Sequence, residues 1–128
     1  MRDYLFRGKD IKTKEWVYGN FVKVQNEETA ITDSQDVIHK VSPETIGQYS
    51  GVSDGNGVKV FEGDRVTGEA KNIYETLIEG VLIVVFEDGA FWVTGKTKYD
   101  RIGYCLLWDV CYLKVIGNIH DEEGSDEA

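Results

Sequence analysis

Six consecutive apolar residues, Val81-Leu82-Ile83-Val84-Val85-Phe86, stand between Gly80 and the turn pair Asp88-Gly89, and Ala90-Phe91-Trp92-Val93 follows at once. The run is short, rich in β-branched residues and bounded by turn formers, so it reads as one strand of a hairpin rather than as a helix. Successive strand side chains point to opposite faces. A sheet with one wet face needs a polar residue at every second position, yet this strand is apolar at both parities, and Cys105-Leu106-Leu107-Trp108 repeats the pattern. The second face therefore requires cover. A chain of 128 residues has little spare material for a second layer, so the expected cover is another copy of the chain, with Val84, Leu107 and Trp108 as candidate oligomer-interface residues.

Short β-type runs punctuated by glycine continue along the chain, and no apolar pattern holds helical spacing over a long window. Residues 16–24, Trp-Val-Tyr-Gly-Asn-Phe-Val-Lys-Val, read as a strand with Trp16, Tyr18, Val22 and Val24 on one face and Val17 and Phe21 on the other. Ala30-Ile31-Thr32 and Val37-Ile38 flank Asp33-Ser34-Gln35-Asp36, the signature of a hairpin. Ser42-Pro43-Glu44 offers an N-cap and a first-turn proline, enough for one short helical turn. Asp54-Gly55-Asn56-Gly57 is a turn, and Val58–Val66 is a strand broken at Gly63-Asp64. Residues 67–79 read as a loop that enters a strand near Leu77. A second loop carries Lys96, Lys98 and Arg101 towards Tyr104, and Tyr112–Ile119 closes the fold. The expected class is all-β, mostly antiparallel, with at most short helical turns. The expected organisation is a β unit at 1–57, a second unit at 58–119 and an acidic disordered tail at 120–128.

Fourteen Lys and Arg face 23 Asp and Glu, a formal charge of −9, and five of the acids lie in the last eight residues, leaving −4 over residues 1–120. Such a balance repels a phosphate backbone at long range, because duplex binding rests on Lys and Arg neutralising phosphates. One local exception exists. Arg2, Arg7, Lys9, Lys12 and Lys14 outnumber Asp3 and Asp10 and adjoin Trp16 and Tyr18. Cations interleaved with aromatics suit single-stranded nucleic acid, so Arg7, Lys9 and Lys12 are the candidates for that alternative reading.

A catalytic, cofactor-binding or metal-ligating set is harder to assemble. Cys105 and Cys111 have no His or third Cys near them in sequence and read as buried free thiols. His39 and His120 are the only imidazoles and read as exposed strand-end residues, although a pair meeting in space would suit metal binding or acid–base work. Asp54, Glu62 and Asp64 lack the spacing of a calcium loop and read as turn carboxylates bonding backbone amides. No Gly-x-Ser-x-Gly elbow, phosphate-binding glycine loop or dinucleotide fingerprint is present. The expectation is a non-enzyme without cofactor. The first residues lack the apolar core of a signal peptide and the longest apolar run is too short to span a bilayer, so the expected location is a reducing cytosol.

Six blocks in order resemble the YopX-like family encoded by phages and prophages. They are Phe6-Arg7-Gly8-Lys9; Glu15-Trp16-Val17-Tyr18-Gly19; Val41 to Gly51, with Ser42-Pro43-Glu44-Thr45-Ile46-Gly47 at its centre; Asp54 to Val66; Val85-Phe86-Glu87-Asp88-Gly89-Ala90-Phe91; and Val115-Ile116-Gly117-Asn118-Ile119. The resemblance implies a small N-terminal β unit joined to an SH3-like small β-barrel, assembling into homo-oligomers. It imports no activity. The function expected is that of a non-catalytic phage or prophage accessory protein acting through protein contacts, with itself and a host or phage protein as partners. The alternatives are a nucleic-acid-binding barrel or an acidic nucleic-acid mimic that occupies a host protein.

Overall fold

The computed structural model describes residues 5–23 and 28–121. Arg2, Val24 and the tail from Glu122 onward, which the sequence reading invoked, lie outside the described residues. Among the described residues every regular element is a β-strand or a short 3-10 turn, so the chain is all-β with antiparallel sheets. It divides into two units, Met1–Tyr49 and Ser50–Ala128, a boundary that falls ahead of the Asp54–Gly57 turn.

The first unit contains β1 (Phe6–Lys9), β2 (Trp16–Lys23), β3 (Thr29–Thr32), β4 (Ile38–Lys40) and the start of β5 (Gly47–Ser53). Its strand order is β4-β3-β2-β1-β5. The hairpin predicted around Asp33–Asp36 is present, with Thr32 opposite Ile38. Gly19 is needed where β2 meets β3, because its φ is +157° and a Cβ there would fall 2.0 Å from the Thr32 carbonyl oxygen. The short turn at Pro43–Thr45 also forms, but the Ser42 hydroxyl does not cap it. Thr45 instead ties the turn to β1: its Oγ1 donates to the Ser42 carbonyl at 2.7 Å and accepts from the Lys9 amide at 2.8 Å. Ala30, Ile31, Val41 and Tyr49 are buried.

The second unit takes β5 onward and adds β6 (Lys59–Phe61), β7 (Asp64–Lys71), β8 (Leu77–Glu87), β9 (Ala90–Thr97), β10 (Ile102–Leu106), a 3-10 turn at Leu107–Asp109 and β11 (Cys111–Asn118). β6 pairs with β5, and the remaining strands form a sheet ordered β10-β9-β8-β7-β11. In that order β10 and β11 are the end strands, and no pairing between them is present among the described residues. Asp88 and Gly89 both have positive φ, the geometry of a tight hairpin turn, and Glu87 stands opposite Ala90.

Two segments read as loops are strands. β7 runs on to Lys71 and β9 to Thr97, because a strand with one wet face needs only every second residue to be apolar, and Val66, Ala70 and Val93 meet that need. Gly68, at φ +154°, lets β11 approach closely, since a Cβ there would lie 2.7 Å from Val110 Cγ1.

The core of the second unit is a cross-strand ladder. Val66 stands opposite Leu82, Val84 opposite Val93, Val93 opposite Cys105 and Ala70 opposite Ile78, all buried. Each fully buried aliphatic side chain of this kind contributes about 1.5–3 kcal/mol.

Candidate functional site

The three residues expected at an oligomer interface separate in the structure. Val84 and Leu107 are 1% and 0% exposed and belong to the core cluster of the second unit. Their apolar surface is used inside the chain, so the expectation that they meet a partner is corrected. In β8 the even positions Leu82 and Val84 point inward, while Ile83 and Val85 are half-buried on the other face and Val81 stays exposed. A run apolar at both parities concealed which parity is the inner one. Trp108 is 60% exposed and remains available.

The basic candidates of the first unit also divide. Arg7 and Lys9 stand opposite Tyr18 and Trp16 across β1 and β2. Arg7 is 6% exposed, and its guanidinium carbon lies 4.4 Å from the Trp16 ring centroid, with Lys9 Nζ at 5.3 Å from the same ring. Trp16 thus holds cations rather than presenting a bare stacking platform, and Arg7 is too buried to reach a phosphate. Lys12 is exposed, and its amide donates to Asp10 Oδ1 at 2.8 Å.

His39 is half-buried, not an exposed strand end. Its Nε2 lies 2.8 Å from Asp33 Oδ2 and its Nδ1 3.4 Å from Asp10 Oδ2. A carboxylate only accepts, so two such partners suit the doubly protonated ring that donates twice. The Asp33 hydrogen bond, aided by Asp10, raises the His39 pKa above its ordinary value, against the opposing effect of burial. With both nitrogens engaged, the ring acts as a cationic clamp between two turns. Asp33 Oδ1 accepts from Gln35 and Val37 amides at 2.9 and 3.0 Å, and Asp10 Oδ1 from Lys12 and Thr13 at 2.8 and 3.2 Å. The carboxylates of Asp54 and Asp64 do similar work in the second unit. Asp54 Oδ1 accepts from the Asn56 and Val58 amides, both at 2.9 Å, and its Oδ2 from Val115 at 3.0 Å; Asp64 Oδ2 accepts from Phe61 at 2.8 Å. Burial pushes the Asp54 carboxyl up, but the three amides outweigh it and leave its pKa lowered. Among the described residues, no group of three or more His, Cys, Asp or Glu is placed to hold a metal ion.

The outer face of the second sheet is only partly buried among the described residues. Leu106 stands opposite Trp92 and Trp92 opposite Val85; beside that row, Tyr104 stands opposite Thr94 and Thr94 opposite Ile83. All lie on the face opposite the core ladder and are half-buried or exposed. Ile102, next along β10, is 67% exposed. At one corner of this face Trp92, Tyr104 and Leu106 line an open groove of about 630 Å³. Its remaining lining comes from the end of β7, with Glu69 and Lys71, from the β7–β8 turn, with Asn72, Ile73 and Glu75, from Cys105 of β10, and from Asp109 of the 3-10 turn with the nearby Cys111. Asn72 shapes the first of these turns, its Oδ1 accepting from the Tyr74 and Thr76 amides at 2.9 and 3.0 Å. Cys105 is buried as expected, but Cys111 is exposed. Sequence reasoning missed the groove because it joins segments distant along the chain, one of them read as a loop; the Asn72 turn was the one local signal.

A family model described as YopX protein matches residues 5–124. None of the curated proteins is a match to the chain. No helix among the described residues is long and apolar enough to cross a membrane.

Proposed function

Because this chain belongs to the YopX protein family, we propose that it is a phage-type accessory protein that works without chemistry of its own, by holding other polypeptides on the outer face of its second unit. A second copy of the chain is its first partner. The observation that carries this reading is the pair of rows Leu106–Trp92–Val85 and Tyr104–Thr94–Ile83, apolar at five of six positions and fully buried at none of them among the described residues. Exposed Ile102, on the same face of β10, extends the apolar surface, and Trp108 is a further exposed apolar residue; apolar surface of this kind marks association sites. Work in the host cytoplasm belongs to the same proposal.

Size-exclusion chromatography with light scattering tests it. The wild-type chain is expected to run as a dimer or larger species at micromolar concentration. Ile102→Lys combined with Trp108→Lys changes only exposed side chains, and is expected to yield a folded monomer with an unchanged far-UV spectrum. A wild-type monomer at micromolar concentration overturns self-association.

A further inference from the structure

We propose that the groove between the β7–β8 turn and β10 takes a basic, extended segment of a partner protein, with an arginine or lysine side chain laid over Trp92. The inference rests on the reading that the chain works by holding polypeptides, and it goes beyond self-association by naming a second occupant and its chemistry.

The floor of the groove is preorganised. Trp92 Nε1 donates to the Glu87 carbonyl at 3.0 Å, which spends its one polar donor on the chain itself and fixes the indole. What the ring offers a ligand is therefore its π-face, flanked by Tyr104 and Leu106. The walls add charge of one predominant sign: Glu69, Glu75 and Asp109 against Lys71. Glu75 sits at φ +63° in a turn already closed by hydrogen bonds between Asn72 and residues 74–76, so presenting its carboxylate requires no folding on binding.

A cation on an alkyl stem matches both parts of this lining. The stem packs on Leu106 and Tyr104, and the head lies over the indole face and pairs with the carboxylates. An anionic ligand meets three carboxylates, and a purely apolar one leaves them without partners. At about 630 Å³ the groove exceeds one side chain, so the ligand is a stretch of chain and not a free amino acid.

Cys111 supplies a reporter inside the groove. Both cysteines line the site, but Cys111 is exposed, whereas Cys105 is buried and its thiol is pushed up by that burial, so alkylation of the native full-length chain reads Cys111 first. The probes are two short unstructured peptides, one alternating Arg and Gly, the other Glu and Gly. The Arg peptide is expected to slow Cys111 alkylation and to bind at least about tenfold more tightly than the Glu peptide. Glu75→Lys with Asp109→Lys, both exposed positions, is expected to lose about tenfold of that affinity with the fold intact. The control is Glu44→Lys with Glu79→Lys, which makes the same charge change at exposed positions outside the groove, and it is expected to bind the Arg peptide almost as wild type does. Equal loss in the control, equal binding of the Glu peptide, or no protection of Cys111 each overturns the proposal. The two occupants share Trp92, Tyr104 and Leu106, so the peptide is titrated against the Ile102→Lys, Trp108→Lys chain as well as the wild type: loss of Arg-peptide binding in both is failure of the groove, whereas a wild-type monomer that still binds the peptide is failure of self-association alone.

Discussion

The two units are held together by different means. In the second, Val66, Leu82, Val84, Val93 and Cys105 stack inward across β7 to β10, and stability comes from apolar area withdrawn from water. In the first, none of the eight residues of β2 is fully buried. There the directional contacts stand out: His39 between Asp33 and Asp10, Arg7 under Trp16, Thr45 between Ser42 and Lys9. Buried aliphatic side chains contribute about 1.5–3 kcal/mol each, whereas solvent-screened ionic contacts such as those of His39 contribute far less. The difference teaches that the second unit is the stable scaffold, suited to carrying a binding face, and that the first is the part more sensitive to solution conditions.

The largest expected effect is Val84→Asp. The side chain is 1% exposed and opposite Val93, so the new carboxylate has neither water nor a partner, and the cost is expected to exceed about 4 kcal/mol. Amide exchange across β7, β8 and β9 is the measurement, with protection there expected to disappear. Survival of that protection would break the comparison at its stronger end. A smaller loss is expected from Asp54→Ala, which strips three backbone amides, those of Asn56, Val58 and Val115, of their acceptor. Leaving such donors unsatisfied costs about 1–3 kcal/mol, read as a lower urea midpoint at unchanged slope. A shift near zero would show that water replaces the carboxylate and that polar pins matter little in the second unit.

Much of this division is legible in the residues themselves, and the rest is not for identifiable reasons. The turns at 33–37, 54–58 and 88–89 announce themselves because Asp, Asn and Gly tolerate positive φ or accept nearby amides, as Asp33, Gly57, Asp88 and Gly89 do. Strand membership of residues 67–71 and 94–97 is hidden by their polar outer positions. The inward parity of β8 is hidden for the opposite reason, because Ile83 and Val85 are as apolar as Leu82 and Val84. The His39 clamp joins residues 10, 33 and 39 through two separate turns. The groove likewise gathers β7, β9, β10 and the start of β11. Neither leaves a local pattern, since both are created by strand pairing between distant segments.

The smallest expected effect sharpens the comparison at its weaker end, because it is confined to the first unit. The Asp33 hydrogen bond, with help from Asp10, raises the His39 pKa above 6.5. The folded state therefore binds more protons than the unfolded one between 6.5 and the raised value. The clamp's contribution is fully present below about pH 6.5 and is lost as pH rises through the folded pKa of His39. The carboxylates set the other limit. The amides of Lys12 and Thr13 lower Asp10, and the His39 hydrogen bond lowers Asp33, each from 3.8. Their contribution is present above 3.8 and is lost as pH falls through the lowered folded values. Protection of the β3 and β4 amides is thus expected to be greatest between these limits and to decline on both sides, beyond the general change of exchange chemistry with pH. The His39 ring protons are expected to titrate with a midpoint above 6.5 in NMR. His39→Gln should abolish the alkaline decline while leaving the pH response of β8 and β9 amides as it was. A His39 midpoint at or below 6.5, or an alkaline decline that persists in the Gln variant, would remove the clamp from the account of how the first unit is held.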